Sequence, residues 1–307
     1  MKPKPLTTSF IGIMVLLLLN QCSKDSDILV DDNDAPYNDA VPTVVINNYV
    51  NRLFIDLLGR EPLDTELATE TEYLKARNLS VEARDTLVTK LQSDTSYIAG
   101  DSSYRHAYYW RMYENFKARC IDGASDADIQ GQIGIYQFAA TSDSLNGDSA
   151  GLDAARANIL RTKQLLRVRT QYPNGQIHIG QCFARMANNF VFDEINMNTF
   201  NFVNATFDNL LYRYPTQVEL LAGMQMIDDN TSQNIFGRNG QNKADYIEIF
   251  ITSREFHEGC IMWAFQSLLA RFPTTEEINS LMDDFYNTRN FQLVQKHILI
   301  GDEYANF

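Results

Sequence analysis

The sequence predicts an all-α protein: a helical-repeat bundle of three helix-turn-helix units, with a long irregular insertion in the middle. Three observations carry that expectation. A short pattern, Leu-Leu-x-Arg-x-Pro with a glutamate four residues after the proline, occurs three times. Its copies are Leu57, Leu58, Arg60, Pro62 and Glu66; Leu210, Leu211, Arg213, Pro215 and Glu219; and Leu268, Leu269, Arg271, Pro273 and Glu277. Each copy closes an apolar run at helical spacing, and the whole chain has only eight prolines and few alternating runs.

The runs have a simple physical reading. Val50, Leu53, Phe54, Leu57 and Leu58 precede the first turn; Phe202, Val203, Phe207, Leu210 and Leu211 the second; Ile261, Met262, Phe265, Leu268 and Leu269 the third. Apolar residues at i, i+3, i+4 and i+7 give a helix with one buried stripe. The proline ends that helix, because its ring disfavours helical geometry in the residue before it. Asp64 or Thr65, Thr216 and Thr274 are placed to cap a second helix. The glutamate then falls in its first turn, where a carboxylate is worth roughly 0.3–1 kcal/mol. The arginine reads as a structural residue that bonds carbonyls at the end of the first helix or pairs with a carboxylate of its own unit. Its other reading is a contact to an anionic ligand.

The second half of each unit ends in a Ser/Asp-plus-aromatic signature: Ser93 to Tyr97, then Ser253, Glu255 and Phe256, then Asp302, Glu303 and Tyr304. The second unit is lengthened by Asn230 to Asn242, a polar stretch that reads as a surface loop.

These residues carry two resemblances. The stretch Tyr49–Phe116, through Leu53, Leu57, Leu58, Gly59, Arg60, Pro62 and Glu66, then Leu87, Val88, Leu91, Ser93, Tyr97 and Trp110, resembles the helical domain of unknown function found beside cytochrome c modules in planctomycete proteins. All three units are similar to a short helical repeat of unknown function in bacterial surface and secreted proteins. No Cys-x-x-Cys-His haem site is present, so the cytochrome association does not carry over, no cofactor is expected, and neither resemblance implies a catalytic residue.

Taken in order, residues 1–21 resemble a bacterial lipoprotein signal peptide. Lys2 and Lys4 form its positive start, Phe10 to Leu19 its apolar run, and Cys22 the lipidated residue, although Gln21 stands where a small residue is usual. The apolar run is short of the roughly 20 residues a spanning helix needs. Residues 22–42 read as an acidic disordered tether, with Asp25, Asp27, Asp31, Asp32, Asp34 and Asp39. The run after Cys22 resembles the acidic export tag of Bacteroidetes-type lipoproteins. That resemblance implies lipid anchoring at the outer membrane, facing the cell exterior. Cleavage takes the formal charge from −13 to −15 by removing Lys2 and Lys4. So acidic a chain, with no basic block, excludes nucleic acid as a partner.

The first helical unit is expected over 43–120, the insertion over 121–198, the second unit over 199–258 and the third over 259–307. Tyr104 to Cys120 reads as one helix crowded with aromatics, most of them core, with Tyr108 and Trp110 the candidates for contact with a sugar or peptide. Asp122 to Gly151, rich in Gly, Ser, Asp and Ala, reads as the least regular stretch, with Gln130 to Phe138 as a short ordered piece. Leu152 to Arg169 reads as a helix whose basic residues are spread around it. Tyr172-Pro173-Asn174-Gly175 reads as a turn, with Asn-Gly suited to a hairpin running into Gln176 to Ile179.

Signals for chemistry are weak. Cys120, Cys182 and Cys260 allow one disulfide and a free thiol, or three buried thiols. His178-x3-Cys182 and His257-x2-Cys260 could be combined into a zinc site, but helix-packed cysteines and surface histidines are the expectation, so no metal is assigned. Glu255 with Glu258, and Asp283 with Asp284, read as solvated faces and caps, and no hydrolase or nucleotide fingerprint is present. The functional expectation is a membrane-anchored surface lipoprotein acting as a non-catalytic scaffold or binding module for an envelope protein or an extracellular polymer such as a glycan. The alternative is an enzyme or accessory factor acting on extracellular glycan or peptide, with its site in Asp122–Gly151.

Overall fold

The computed structural model describes residues 40–98 and 101–306. The signal segment, Cys22 and nearly all of the acidic tether lie outside the described residues. The expected all-α class is what the chain adopts: sixteen helices and one two-stranded hairpin among the described residues.

Helix α1 (Thr43–Leu58) buries Tyr49, Val50, Leu53, Phe54, Leu57 and Leu58 as one stripe. Helices α2 (Asp64–Lys75), α3 (Val81–Ser93) and α4 (Tyr104–Cys120) complete the first region. Helices α10 (Thr199–Leu211) and α11 (Gln217–Asp228) form the second helix pair, and α13 (Arg254–Leu269) and α14 (Thr275–Thr288) the third. Each pair turns in the same way. The variable residue after Leu-Leu sits in the left-handed region: Gly59 at φ 73°, Tyr212 at 57° and Ala270 at 55°. Its N–H closes back onto Ile55 O, Asp208 O or Gln266 O, so an orphan helix carbonyl is satisfied. Only glycine adopts that geometry without strain. Ala270→Gly is therefore expected to raise stability by about 1 kcal/mol, read as a higher urea midpoint at unchanged slope.

The restart after the proline corrects one expectation. Thr216 and Thr274 cap their helices, each hydroxyl accepting the N–H of the glutamate three residues on at 3.3 Å. In the first unit neither Asp64 nor Thr65 does this. Leu63 holds the cap position and has no side-chain acceptor, so only the reciprocal half exists: Leu63 N–H donates to Glu66 Oε2 at 2.7 Å.

The middle of the chain is also more regular than expected. The stretch 122–151 is not an irregular loop, because α5 (Asp126–Asn146) and α6 (Ser149–Leu166) pack along each other as a long helical hairpin. Ser125 and Asp128 cap α5 reciprocally, and Asp148 accepts Gly151 N–H at 2.9 Å to start α6. The polar composition that reads as loop is partly cap chemistry and partly the solvated face of a helix anchored by its partner. A short α7 (Val168–Gln171) leads to the expected turn, where Gly175 N–H meets Tyr172 O at 3.0 Å. No strand pairs there; the chain goes directly into α8 (Ile179–Ala187) and α9 (Phe190–Asn196). The hairpin lies instead in the expected loop, β1 (Gln233–Ile235) against β2 (Arg238–Gly240), turning through Phe236 and Gly237, both at positive φ. Helix α12 (Lys243–Ile251) follows.

One hydrophobic cluster runs from Ile46 to Ala305. Helix α8 lies within it, with Phe183 edge-on to Phe116, Phe256 and Trp263. The last helices, α15 (Phe291–Leu299) and α16 (Asp302–Ala305), return to the first region. Tyr49 Oη donates to Leu299 O at 3.1 Å, Tyr304 Oη to Asp56 at 2.7 Å, and Lys296 pairs with Asp85 at 2.6 Å. The third region thus packs back on the first instead of extending away from it.

Candidate binding site

The three motif arginines each form a local cluster. Arg60 reaches both oxygens of Glu66 at 2.8 Å and Asp101 at 2.6 Å. Arg213 reaches both oxygens of Glu219 at 2.7 and 2.9 Å, and also Glu255. Arg271 reaches Glu277 at 2.7 and 2.9 Å, and also Glu303. Each guanidinium also lies over the phenyl ring six residues earlier, Phe54, Phe207 or Phe265, at 5.3, 4.8 and 5.1 Å. The bidentate fork fixes the turn, and the second carboxylate ties it to the start of a later helix. Burial opposes the charge on Glu66, but hydrogen bonds from Arg60 and Leu63 N–H outweigh it and hold the carboxyl below its usual range. The Arg213 and Arg271 guanidiniums bring Glu219 and Glu277 down to about 2. Among the described residues no hydrogen bond joins one cluster to another. Pro62, Pro215 and Pro273 occupy the same place in each turn. The first unit departs from the Ser93–Tyr97 expectation: Tyr97 is exposed, and the second carboxylate is Asp101, which precedes its helix instead of sitting in its first turn.

The two expected ligand contacts separate. Tyr108 is fully buried, its hydroxyl donating to Gln295 Oε1 at 2.6 Å, so it is a core residue and not a ligand contact. Helix α4 is covered by both α1 and α8, and its buried stripe is wider than a single contact face would give. Trp110 is 43% exposed and borders a cleft of about 300 Å³ with Tyr109, Arg105, His106 and Pro173.

The reactive side chains are engaged elsewhere. The three cysteines among the described residues, Cys120, Cys182 and Cys260, are buried and form no disulfide. Burial pushes Cys120 up to about 12 and Cys182 and Cys260 well above the ordinary thiol range. Iodoacetamide at pH 8 is therefore expected to label none of the three in the folded protein and all three in guanidinium, counted by intact mass. Labelling of the folded protein at stoichiometric level would contradict their burial. His257 is buried rather than on the surface. Its Nδ1 donates to Ser253 O at 2.8 Å, and burial lowers its pKa. His178 Nε2 accepts from Arg289 at 2.8 Å; burial and that cation take it down to about 4. Glu255 is held by Arg213, and Asp283 by Arg254 at 3.0 Å. Among the described residues no group of three or more His, Cys, Asp or Glu side chains is placed to hold a metal.

A second cleft, of about 340 Å³, opens where α4, α13 and α15 meet, and sequence reasoning missed it. Arg111, Asn115 and Arg119 present one face of α4 to it, and Trp263, Ser267 and Leu268 one face of α13. Their i, i+4 spacing is visible in the sequence; which way that face points is not. Arg119 Nη1 donates to Tyr212 Oη at 2.8 Å, and its guanidinium lies 4.4 Å from the Tyr212 ring and 5.6 Å from Trp263. Its Nη2 and the Nε of Arg111 are buried without an acceptor. Asp56, the acidic residue of the cleft, is occupied by Tyr304 at 2.7 Å and lies 3.7 Å from Arg52.

No helix among the described residues is long and apolar enough to cross a membrane. Comparison of the chain with protein-family models, with curated proteins and with solved structures gives no match.

Proposed function

We propose that this protein is a surface lipoprotein, held at the outer membrane by lipid on Cys22 and facing the cell exterior. There it acts as a non-catalytic scaffold or binding module for an envelope protein or an extracellular polymer. The resemblance to helical repeats of surface proteins and the lipoprotein-like start support the location. The observation that carries the binding role is the outer part of the α5–α6 hairpin. Buried residues of α5 stop at Ile133. Beyond it Phe138 and Leu145, seven residues apart and so on one face, are 78% and 83% exposed, and Ile135 and Leu160 are exposed too. The three core cysteines, His178, His257, Glu255 and Asp283, by contrast, are held by burial, hydrogen bonds or ion pairs.

The test is the full chain on intact cells. External protease is expected to digest it, and Phe138→Asp with Leu145→Asp is expected to abolish in-cell cross-linking to its partner. Stability should change by less than about 0.5 kcal/mol per site, since both side chains are solvated. Protection from external protease, or cross-linking that survives the double substitution, would count against the reading.

A second reading is an enzyme or accessory factor for extracellular glycan or peptide, and the Trp110 cleft favours it, with aromatic walls and Arg105 and His106 at its edge. Release of soluble fragments from a polymer, lost in Trp110→Ala, would select that reading over the first.

A further inference from the structure

We infer that the cleft between α4 and α13 binds a small organic carboxylate. The inference goes beyond the tethered-module reading and does not depend on it.

Arg111 and Arg119 both line the cleft, and one nitrogen of each, Arg111 Nε and Arg119 Nη2, has no acceptor in the protein. Arg111 makes no hydrogen bond or ion pair with any described residue, whereas the three motif arginines are each held by two carboxylates. A guanidinium that no carboxylate of the protein holds is placed to take an ionised acceptor entering the cleft. A carboxylate offers two oxygens, in the spacing a guanidinium edge accepts. Asp56 attracts Arg111 but makes no hydrogen bond to it, being engaged by Tyr304 and Arg52.

Both cations are held in place from behind. Arg119 is clamped between the rings of Tyr212 and Trp263. Arg111 lies along Gly59, where even a β-carbon would stand 3.1 Å from its Cδ. The motif glycine therefore also makes room for this side chain. Trp263 stacks on Phe291 at 5.2 Å and 9°, and the two rings give the cleft an apolar wall. The volume, about 340 Å³, suits a body of one ring. A polyanion fits less well, since the chain carries a net charge of −13 and would repel it. A single carboxylate meets two cations in the cleft and one anion, Asp56, whose charge Arg52 and Arg111 offset, and charges beyond about 8 Å are screened at physiological salt.

The chain has two tryptophans, so Trp110→Phe leaves Trp263 as the single reporter in the cleft. Benzoate and glucuronate are titrated into that protein by fluorescence and calorimetry, with benzyl alcohol and glucose as neutral counterparts and inorganic sulfate as a bare anion. Saturable binding of at least one carboxylate is expected, at least about tenfold tighter than its neutral counterpart and about tenfold or more weaker in Arg111→Gln. Arg111 makes no protein hydrogen bond to lose, only the attraction of Asp56, so this variant should melt close to the parent; Arg119→Lys provides a second variant that keeps the charge but not the fork. Which acid binds distinguishes an aromatic from a sugar body. The inference is overturned by any of three results: no carboxylate saturating below roughly 10 mM, neutral and charged probes binding alike, or Arg111→Gln binding as the parent does. Saturation by sulfate alone also overturns it. None of these bears on surface display or on cross-linking through the hairpin.

Discussion

Gly259→Ala is expected to lower the free energy of unfolding by about 3 kcal/mol or more, a large effect for one methyl group. A β-carbon at this position would lie 1.9 Å from Leu210 O and 3.0 Å from its carbonyl carbon. Both are backbone atoms, so no side chain can swing aside, and α13 would have to withdraw from the end of α10. That movement would also strain the second turn, because Glu255, one turn earlier on α13, is tied to Arg213. Gly131→Ala is the control. It lies mid-helix in α5 with nothing within 4 Å, so exchange should stabilise by roughly 0.5–1 kcal/mol through helix propensity. Urea denaturation of both variants checks the pair. A Gly259→Ala protein as stable as the parent would mean that the two helices do not touch there.

Arg60→Ala is expected to cost about 2–3 kcal/mol, because it strands Glu66, whose side chain is only 7% exposed, and releases Asp101. Arg213→Ala and Arg271→Ala should cost less, their side chains being 33% exposed. Arg60→Lys should recover only part, since an ammonium cannot make the two-pronged contact. Equal, negligible losses at all three sites would remove the clusters from the list of what fixes these turns. The same clusters set an acid limit. Glu219 and Glu277 have a usual pKa of 4.5 and are brought down to about 2. A depressed carboxyl stabilises fully above its unfolded value and loses that contribution as pH falls through its folded value. Stability should therefore decline from about pH 5 to pH 2, by roughly 1 kcal/mol per glutamate after allowing for solvent screening. Glu219→Gln with Glu277→Gln should flatten that slope while lowering the plateau at pH 7.

Particular residues show where sequence was enough. The apolar stripe Val50–Leu58, the proline stop and the threonine caps of α11 and α14 are local effects, and each was placed correctly because helix geometry depends on neighbours within about four residues. The pairing of each arginine with the glutamate six residues on is equally local. Composition misled at 122–151, where Gly, Ser and Asp read as loop. There a paired helix supplied the stability that propensity lacked, and such a partner cannot be seen in a local window. Tyr108 misled for a related reason: a helix covered on two sides buries residues that a one-sided stripe leaves out.

By itself, then, the amino-acid sequence determined the helices that flank the three repeated turns, their stops and the turns themselves, because these rest on bonds between residues close along the chain. Only the tertiary structure decided that α15 and α16 return to α1, that Gly259 is a contact point between backbones, and that Arg111 and Arg119 meet Trp263 in one cleft. Those outcomes join residues dozens to hundreds of positions apart. They depend on which helix faces come to lie against each other, and a helical pattern fixes that a face is buried without fixing what buries it.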